Sequence, residues 1–246
     1  MNPKLKSYLV IFLYLIIGFG VIGLGRFFKK TGWPNPAFVI LLLFIMVNVA
    51  TTRFFNLQAA IKTFWTIKKI SFLPVGIVAG GLIAVIPVLT GLLTGVTDLR
   101  ELRLDTHFTI SSLLVTLATV AWEELWFRGI FLNYCVRYLS EIKISITIGL
   151  LFMLVHLLNP DIDLLKTGPT LFFAGAVLTL SYFYFRTIWL PVGLHFGNNY
   201  FTMKSNMDGH WFFGNEGHFG AILLAFIFLL LVKLTLSSTK ITTNEK

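Results

Sequence analysis

The sequence predicts an all-helical integral membrane protein with about eight transmembrane helices in one bundle. Of its 246 residues, 56% are hydrophobic and 13% are charged, and the mean hydropathy is +0.82. Water-soluble domains carry about 25% charged residues, so this composition is typical of a chain that lies in lipid. The apolar runs leave too few residues for a separate aqueous module. Residues 1–246 are therefore predicted to form a single membrane domain.

The predicted helices are apolar segments of roughly the 20 residues that a spanning helix needs. In chain order they are 8–25, 36–52, 72–95, 109–138, 143–158, 169–186, 188–203 and 218–236. The first segment follows two lysines and lacks a clear cleavage site, so it is predicted to be an uncleaved span rather than a signal peptide. The segment 188–203 is short and polar for a span, and we expect it to lie inside the bundle.

Lysine and arginine residues in the loops predict the orientation of the bundle. The side that holds the N-terminus collects 12 of them and the opposite side 7, so both termini are predicted to be cytoplasmic. The segment 53–70 has cations among aromatic residues. It is interpreted either as an amphipathic helix on the anionic leaflet or as an ordinary cytoplasmic loop.

The net charge of +9 does not indicate a nucleic-acid partner, because the cations are scattered between apolar runs. Cys135 is the only cysteine, so the chain can form neither an intramolecular disulfide nor a thiolate metal cluster. The lipid bilayer is therefore a predicted partner, and the sequence leaves the oligomeric state open.

Three ionisable residues, Glu123, Glu124 and Arg128, lie within the fourth apolar segment. A charge at the centre of a spanning helix costs about 2.5–3.5 kcal/mol, so these side chains are expected to face protein or a wet cavity. Glu124 and Arg128 are four residues apart and can pair on one helix face. Glu123 points about 100° away from Glu124 and has no such local partner. Glu123 is therefore predicted to be free for chemistry.

Two later segments add polar side chains that are out of place against lipid. His156 lies near the end of the fifth segment, and His195 and Asn199 share a helix face in the seventh. A carboxylate with a histidine can deprotonate a water, and a histidine with an amide can donate hydrogen bonds to an oxyanion. These residues therefore predict hydrolysis of an amide bond. Glutamate and histidine also suit a zinc ion, with Glu123, His156 and His195 as the candidate ligands.

Other interpretations differ in how they use this polar cluster. The chain has no His-Glu-x-x-His and no Gly-x-Ser-x-Gly, which argues against a zincin site and a nucleophile elbow. A non-enzymatic immunity or scaffold protein would keep the cluster for helix association or peptide binding. A transporter would use a glutamate as a proton relay, although no pair of broken helices supports one.

Three motifs, each on its own predicted span, resemble the CPBP family: Glu123-Glu124-x-x-x-Arg128, Phe152-x-x-x-His156 and His195-x-x-x-Asn199. This family contains the type II CAAX prenyl proteases and the bacterial bacteriocin-processing or immunity (Abi) proteins. The motifs lie within 110–200, which the resemblance marks as the catalytic core of an all-helical intramembrane endopeptidase.

The resemblance assigns roles in three pairs: water activation to Glu123 and His156, oxyanion stabilisation to His195 and Asn199, and support of the site to Glu124 and Arg128. It leaves open whether the site uses Zn²⁺ or a metal-free glutamate mechanism. It implies a CAAX-like protein or a bacteriocin or signal peptide as substrate. The composition and the lack of an extra domain favour a bacterial protein of the plasma membrane.

Overall fold

The computed structural model describes residues 67–95, 110–132, 136, 138–156, 164–205 and 220–232, with single positions between 16 and 53. This described part is helical and contains no strand. Its α-helices are α1 (Phe72–Thr94), α2 (Ile110–Glu124), α3 (Glu141–Val155), α4 (Leu164–Phe185), α5 (Trp189–Ser205) and α6 (Gly220–Val232). A 3-10 turn, Ile67–Lys69, precedes α1.

The helices α1 to α6 occupy the positions of the last six predicted spans, and the all-helical class is confirmed for the described residues. The predicted segments 8–25, 36–52 and 53–70 lie almost entirely outside the described residues. Two helical stretches, Phe72–Thr94 and Thr167–Phe185, are long and apolar enough to cross a membrane. The bundle of eight spans stays a prediction.

The predicted fourth helix is not one continuous α-helix. α2 ends at Glu124, and a π-helix, Leu125–Phe131, continues it directly. Five consecutive residues of this π-helix, from Trp126 to Ile130, are buried, so every side of the turn contacts protein. A regular amphipathic helix would leave one face exposed, and such π-turns are found mostly at functional sites. The spacing of the apolar residues does not predict this change from α-helix to π-helix.

Glycines bring two pairs of helices into backbone contact. A methyl group at Gly76 of α1 would lie 2.9 Å from the Cα of Gly193 in α5. A methyl group at Gly175 of α4 would lie 2.9 Å from the Cα of Gly149 in α3. Small residues are what membrane helices use to approach closely, because lipid supplies no hydrophobic force between them. These contacts hold α5 against α1 and α4 against α3.

Helix α1 also presents an apolar face that the other described residues do not cover. Its exposed residues are Val75, Val78, Leu82, Ile86, Leu89 and Leu93. Exposed apolar patches of this extent are rare on water-soluble monomers. This face is typical of a helix that contacts lipid.

Side chains from two other segments bind the turn between α4 and α5. Arg186 has a left-handed backbone with φ of 49°, which is uncommon for a residue other than glycine. The Nζ of Lys69 donates hydrogen bonds to the carbonyl oxygens of Phe185 at 2.8 Å and Arg186 at 3.3 Å. The guanidinium of Arg186 pairs with Glu141 at 2.9 Å. The starts of α1 and α3 therefore lie beside the start of α5.

We expect Arg186→Gly to be more stable than Arg186→Ala, by about 1 kcal/mol in the free energy of unfolding. Both variants lose the ion pair with Glu141, but only alanine keeps the steric cost of a β-carbon in the left-handed region. Thermal unfolding of the two variants in the same detergent measures the difference. Equal stability would contradict the strain assigned to this turn.

Candidate active site

The carboxylate of Glu124 is the centre of the polar cluster. Its Oε1 accepts a hydrogen bond from Nη1 of Arg128 at 2.9 Å and another from Nδ1 of His195 at 2.9 Å. Oε1 of Glu124 is the acceptor in both hydrogen bonds. The hydrogen on His195 is therefore assigned to Nδ1. This one oxygen joins the end of α2 to the middle of α5.

Arg128 lies in the π-helix, and its side chain is 0% exposed, as is that of Glu124. The ion pair that the four-residue spacing predicted is thus present and fully buried. The Nη2 of Arg128 donates to the carbonyl oxygen of Gly175 at 2.7 Å, which ties the pair to α4. The guanidinium carbon also lies 5.6 Å from the ring centre of Phe127 and 5.7 Å from that of Phe152. These contacts offset part of the cost of burying the charge.

His195 faces both glutamates, one through each ring nitrogen. Its Nε2 lies 3.6 Å from Oε2 of Glu123, while its Nδ1 is bonded to Glu124. The sequence predicted His195 as a partner of Asn199 and gave no sign of the contact with Glu124. The two residues are 71 positions apart on different helices, so no local spacing can reveal that they meet.

Glu123 is the more accessible glutamate, with a side chain 17% exposed. Its Oε2 is nevertheless buried and has no hydrogen-bond partner among the described residues. Buried polar atoms are nearly always hydrogen-bonded in native proteins, so an orphan atom requires an explanation. A water or a substrate group held at this oxygen would supply the missing hydrogen bond. Oε2 of Glu124 also has no hydrogen-bond partner among the described residues, so the two glutamates differ in the two donors at Oε1 of Glu124 and in the exposure of Glu123.

His156 caps the end of α3 and is half-buried. Its Nδ1 lies 2.7 Å from the carbonyl oxygen of Phe152. A carbonyl oxygen only accepts, so Nδ1 carries the hydrogen, and in the neutral ring Nε2 then has a lone pair for use as a base or a ligand. The ring of Phe152 lies 4.8 Å from the ring centre of His156 and 5.6 Å from that of His195. One aromatic ring therefore contacts the histidines of two motifs.

Asn199 lies on α5 one turn beyond His195 and is half-buried. Ion-pair contacts thus join four of the predicted site residues: Glu123, Glu124, Arg128 and His195. His156 is linked to them by the ring of Phe152, which contacts both histidine rings. Asn199 shares the helix of His195.

The three candidate zinc ligands, Glu123, His156 and His195, all lie within the described residues. Within the described ranges, no three His, Cys, Asp or Glu side chains are arranged to hold a metal ion. Oε2 of Glu123 and Nε2 of His195 lie 3.6 Å apart, and a zinc ion bound between them would need at least one further ligand. Zinc binding stays a prediction.

Sequence reasoning also missed the glycines of α1 and α5. Gly76 and Gly80 are four residues apart, as are Gly193 and Gly197, and the second pair flanks His195. Two glycines at this spacing in an apolar helix are the known signal for close helix packing in membranes. That signal was present in the sequence and would have connected α1 with the site.

The helices and the site define a class: an all-helical protein with apolar helices and a buried cluster of carboxylates, arginine and histidine. Residues 105–201 match the family model of the type II CAAX prenyl endopeptidases, described as Rce1-like. The match spans all three motifs and supports the membership of the CPBP family that the motifs predicted. No curated protein matches the chain. The family and the apolar helices together indicate a membrane protein and endopeptidase activity in general.

We expect Arg128→Met to lower the free energy of unfolding by about 3–5 kcal/mol, because it leaves the buried carboxylate of Glu124 without its cation. The double variant with Glu124→Gln should recover part of that loss, since no unpaired charge then remains buried. Thermal unfolding in detergent measures both. A single variant as stable as the wild type would contradict the assignment of a desolvated pair.

Proposed function

We propose that this protein is an intramembrane endopeptidase that hydrolyses a peptide bond of a membrane-associated substrate, with Glu123 as the base. The observation that carries this proposal is the buried Oε2 of Glu123, which has no hydrogen-bond partner among the described residues and faces Nε2 of His195 at 3.6 Å. The match of residues 105–201 to the model of a protease family supports it. A carboxylate oxygen that is shielded from solvent and free to accept a hydrogen bond is suited to take a proton from water.

In the proposed reaction, the water oxygen bonds to the carbonyl carbon of the substrate while Glu123 takes the water proton. The carbonyl oxygen becomes an oxyanion. When the carbon–nitrogen bond breaks, Glu123 returns the proton to the leaving amine. His156 supports the first step, because its Nε2 retains the lone pair that orients a water.

Stabilisation of the oxyanion is assigned to His195 and Asn199. Since Nδ1 of His195 donates to Glu124, a donor at Nε2 exists only when the ring is protonated. The carboxylates of Glu124 at 2.9 Å and Glu123 at 3.6 Å face the two ring nitrogens of His195. Glu124 and Arg128 therefore support the site by holding the ring in place. The amide of Asn199 is the second donor.

The substrate is inferred to be a CAAX-like protein, a bacteriocin precursor or a signal peptide, in line with the two branches of the family. We place the protein in a bacterial plasma membrane with both termini in the cytoplasm, on the basis of its composition and the excess of lysine and arginine on that side. A reporter fused after Lys246 reads out the side on which the C-terminus lies.

We expect Glu123→Gln to reduce the rate of proteolysis by at least about 10²–10⁴-fold, because the amide cannot act as a base. The variant should remain folded and inserted. Glu141→Gln is the matched control, since it removes a glutamate that pairs with Arg186 outside the cluster, and it should keep full activity. Peptidomics of membranes that carry the wild type or Glu123→Gln both measures the loss and identifies the substrate.

Cleavage at the normal rate by purified Glu123→Gln would refute the role of this residue. The same variant separates the enzyme from a non-enzymatic immunity protein. An immunity protein would still protect cells when Glu123 is replaced, whereas a protease that confers protection by cleavage would not.

The alternative between zinc and a metal-free mechanism is decided by metal content. If the site binds zinc through its histidines, the purified wild type should hold one equivalent, and both His156→Ala and His195→Ala should lose it. Full activity of metal-free protein would exclude zinc. Elemental analysis of the three proteins, alongside their activities, makes the measurement.

A further inference from the structure

Helix α1 lies outside residues 105–201, the part of the chain that matches the family. Among the described helices, however, α1 makes the most extensive contact with α5, the helix that carries His195. The contact is between backbones. A helix that the family match does not cover therefore lies directly against one that carries the site.

The glycines of α1 have no room for a side chain. A methyl group at Gly76 would lie 2.8 Å from the backbone nitrogen of Leu194. A methyl group at Gly80 would lie 2.9 Å from the backbone nitrogen of Asn198 and would collide with the carbonyl oxygen of Leu194. Because backbone atoms cannot rotate out of the way, either methyl group would push α5 away from α1.

The glycines of α5 face α1 in the same way. A methyl group at Gly193 would collide with the carbonyl oxygen of Leu73, and one at Gly197 would lie 2.9 Å from the backbone nitrogen of Gly81. These glycines stand two residues before and two residues after His195. The backbone of α5 is therefore held against α1 on both sides of the histidine.

The contact also fixes the register of α5 along α1. Gly76 meets the region of Gly193 and Leu194, and Gly80 meets Leu194 and Asn198, so the helices run parallel with one register. A shift of α5 by one residue would move it about 1.5 Å along its axis. The hydrogen bond from His195 to Glu124 is 2.9 Å long and would not survive such a shift.

We propose that Gly76 and Gly80 of α1, with Gly193 and Gly197 of α5, are positioning residues for His195. They act through the backbone of α5, which they hold at the distance and register that let His195 contact both glutamates. This inference rests on the proposed function, and it makes α1 a part of the catalytic unit.

The test is Gly80→Ala, with Gly220→Ala as the control because a methyl group at Gly220 meets no atom within 4 Å. We expect Gly80→Ala to lower kcat by about 10- to 100-fold with little change in KM, as a small displacement of a catalytic group does. The proton NMR signal of Nδ1–H in His195, assigned by its loss in His195→Gln, should shift. Gly220→Ala should leave kcat and the signal unchanged.

A folded Gly80→Ala protein with wild-type kcat and an unmoved His195 signal would overturn the proposal. Should that variant fail to fold, Gly81→Ala decides, since the three atoms nearest to its methyl group all belong to the ring of Phe201 rather than to the backbone of α5. A smaller shift of the His195 signal would then support the proposal, and an unmoved signal would overturn it. The signal does not depend on activity. If Glu123→Gln stayed active while the signal shifted in Gly80→Ala, the assigned chemistry would fail and the positioning would stand.

Discussion

The rest of the site depends on one buried carboxylate oxygen, Oε1 of Glu124. It accepts hydrogen bonds from Arg128 and His195, and the arginine in turn donates to the carbonyl of Gly175. Ionic groups deep in an apolar bundle must find their partners within the protein, and breaking such a pair leaves an uncompensated charge. The carboxylate therefore forces α2, the π-helix, α4 and α5 into one arrangement. The histidine is oriented as a consequence of that arrangement.

Two adjacent glutamates acquire opposite roles from this arrangement. Glu124 is fully buried and has its Oε1 shared between two donors, whereas the side chain of Glu123 is 17% exposed and its Oε2 lies 3.6 Å from Nε2 of His195 without a hydrogen bond. The difference comes from their positions around the helix, since neighbouring residues point about 100° apart. Packing then adds the second difference: His195 presents a bonded nitrogen to Glu124 and the other nitrogen to Glu123. Identical side chains thus become a structural anchor and a candidate base.

The packing around the polar cluster relies on glycine and aromatic residues. Backbone contact between α1 and α5, and between α3 and α4, lets short helices hold polar groups at hydrogen-bonding distance. Phe152 contributes twice, because its carbonyl fixes the tautomer of His156 and its ring lies against both histidines. The π-helix buries Arg128 together with its apolar neighbours. Each of these contacts restricts the conformations of a side chain that the proposed reaction requires in a fixed position.

The sequence by itself determined the features that depend on local spacing. Apolar runs set the helical class and the positions of α1 to α6, the four-residue interval set the pair of Glu124 and Arg128, and the three motifs indicated the family. Tertiary structure alone decided the contact of Glu124 with His195, the place of Phe152 between two histidines, and the π-helix that ends α2. The contacts of His195 with Glu124 and Phe152 could not be read from periodicity, because they join helices far apart in the chain. The π-helix could not be read from it either, because the apolar spacing of this segment gave no signal of a change of winding. A helix repeat fixes which side chains share a face, and only packing fixes what that face meets.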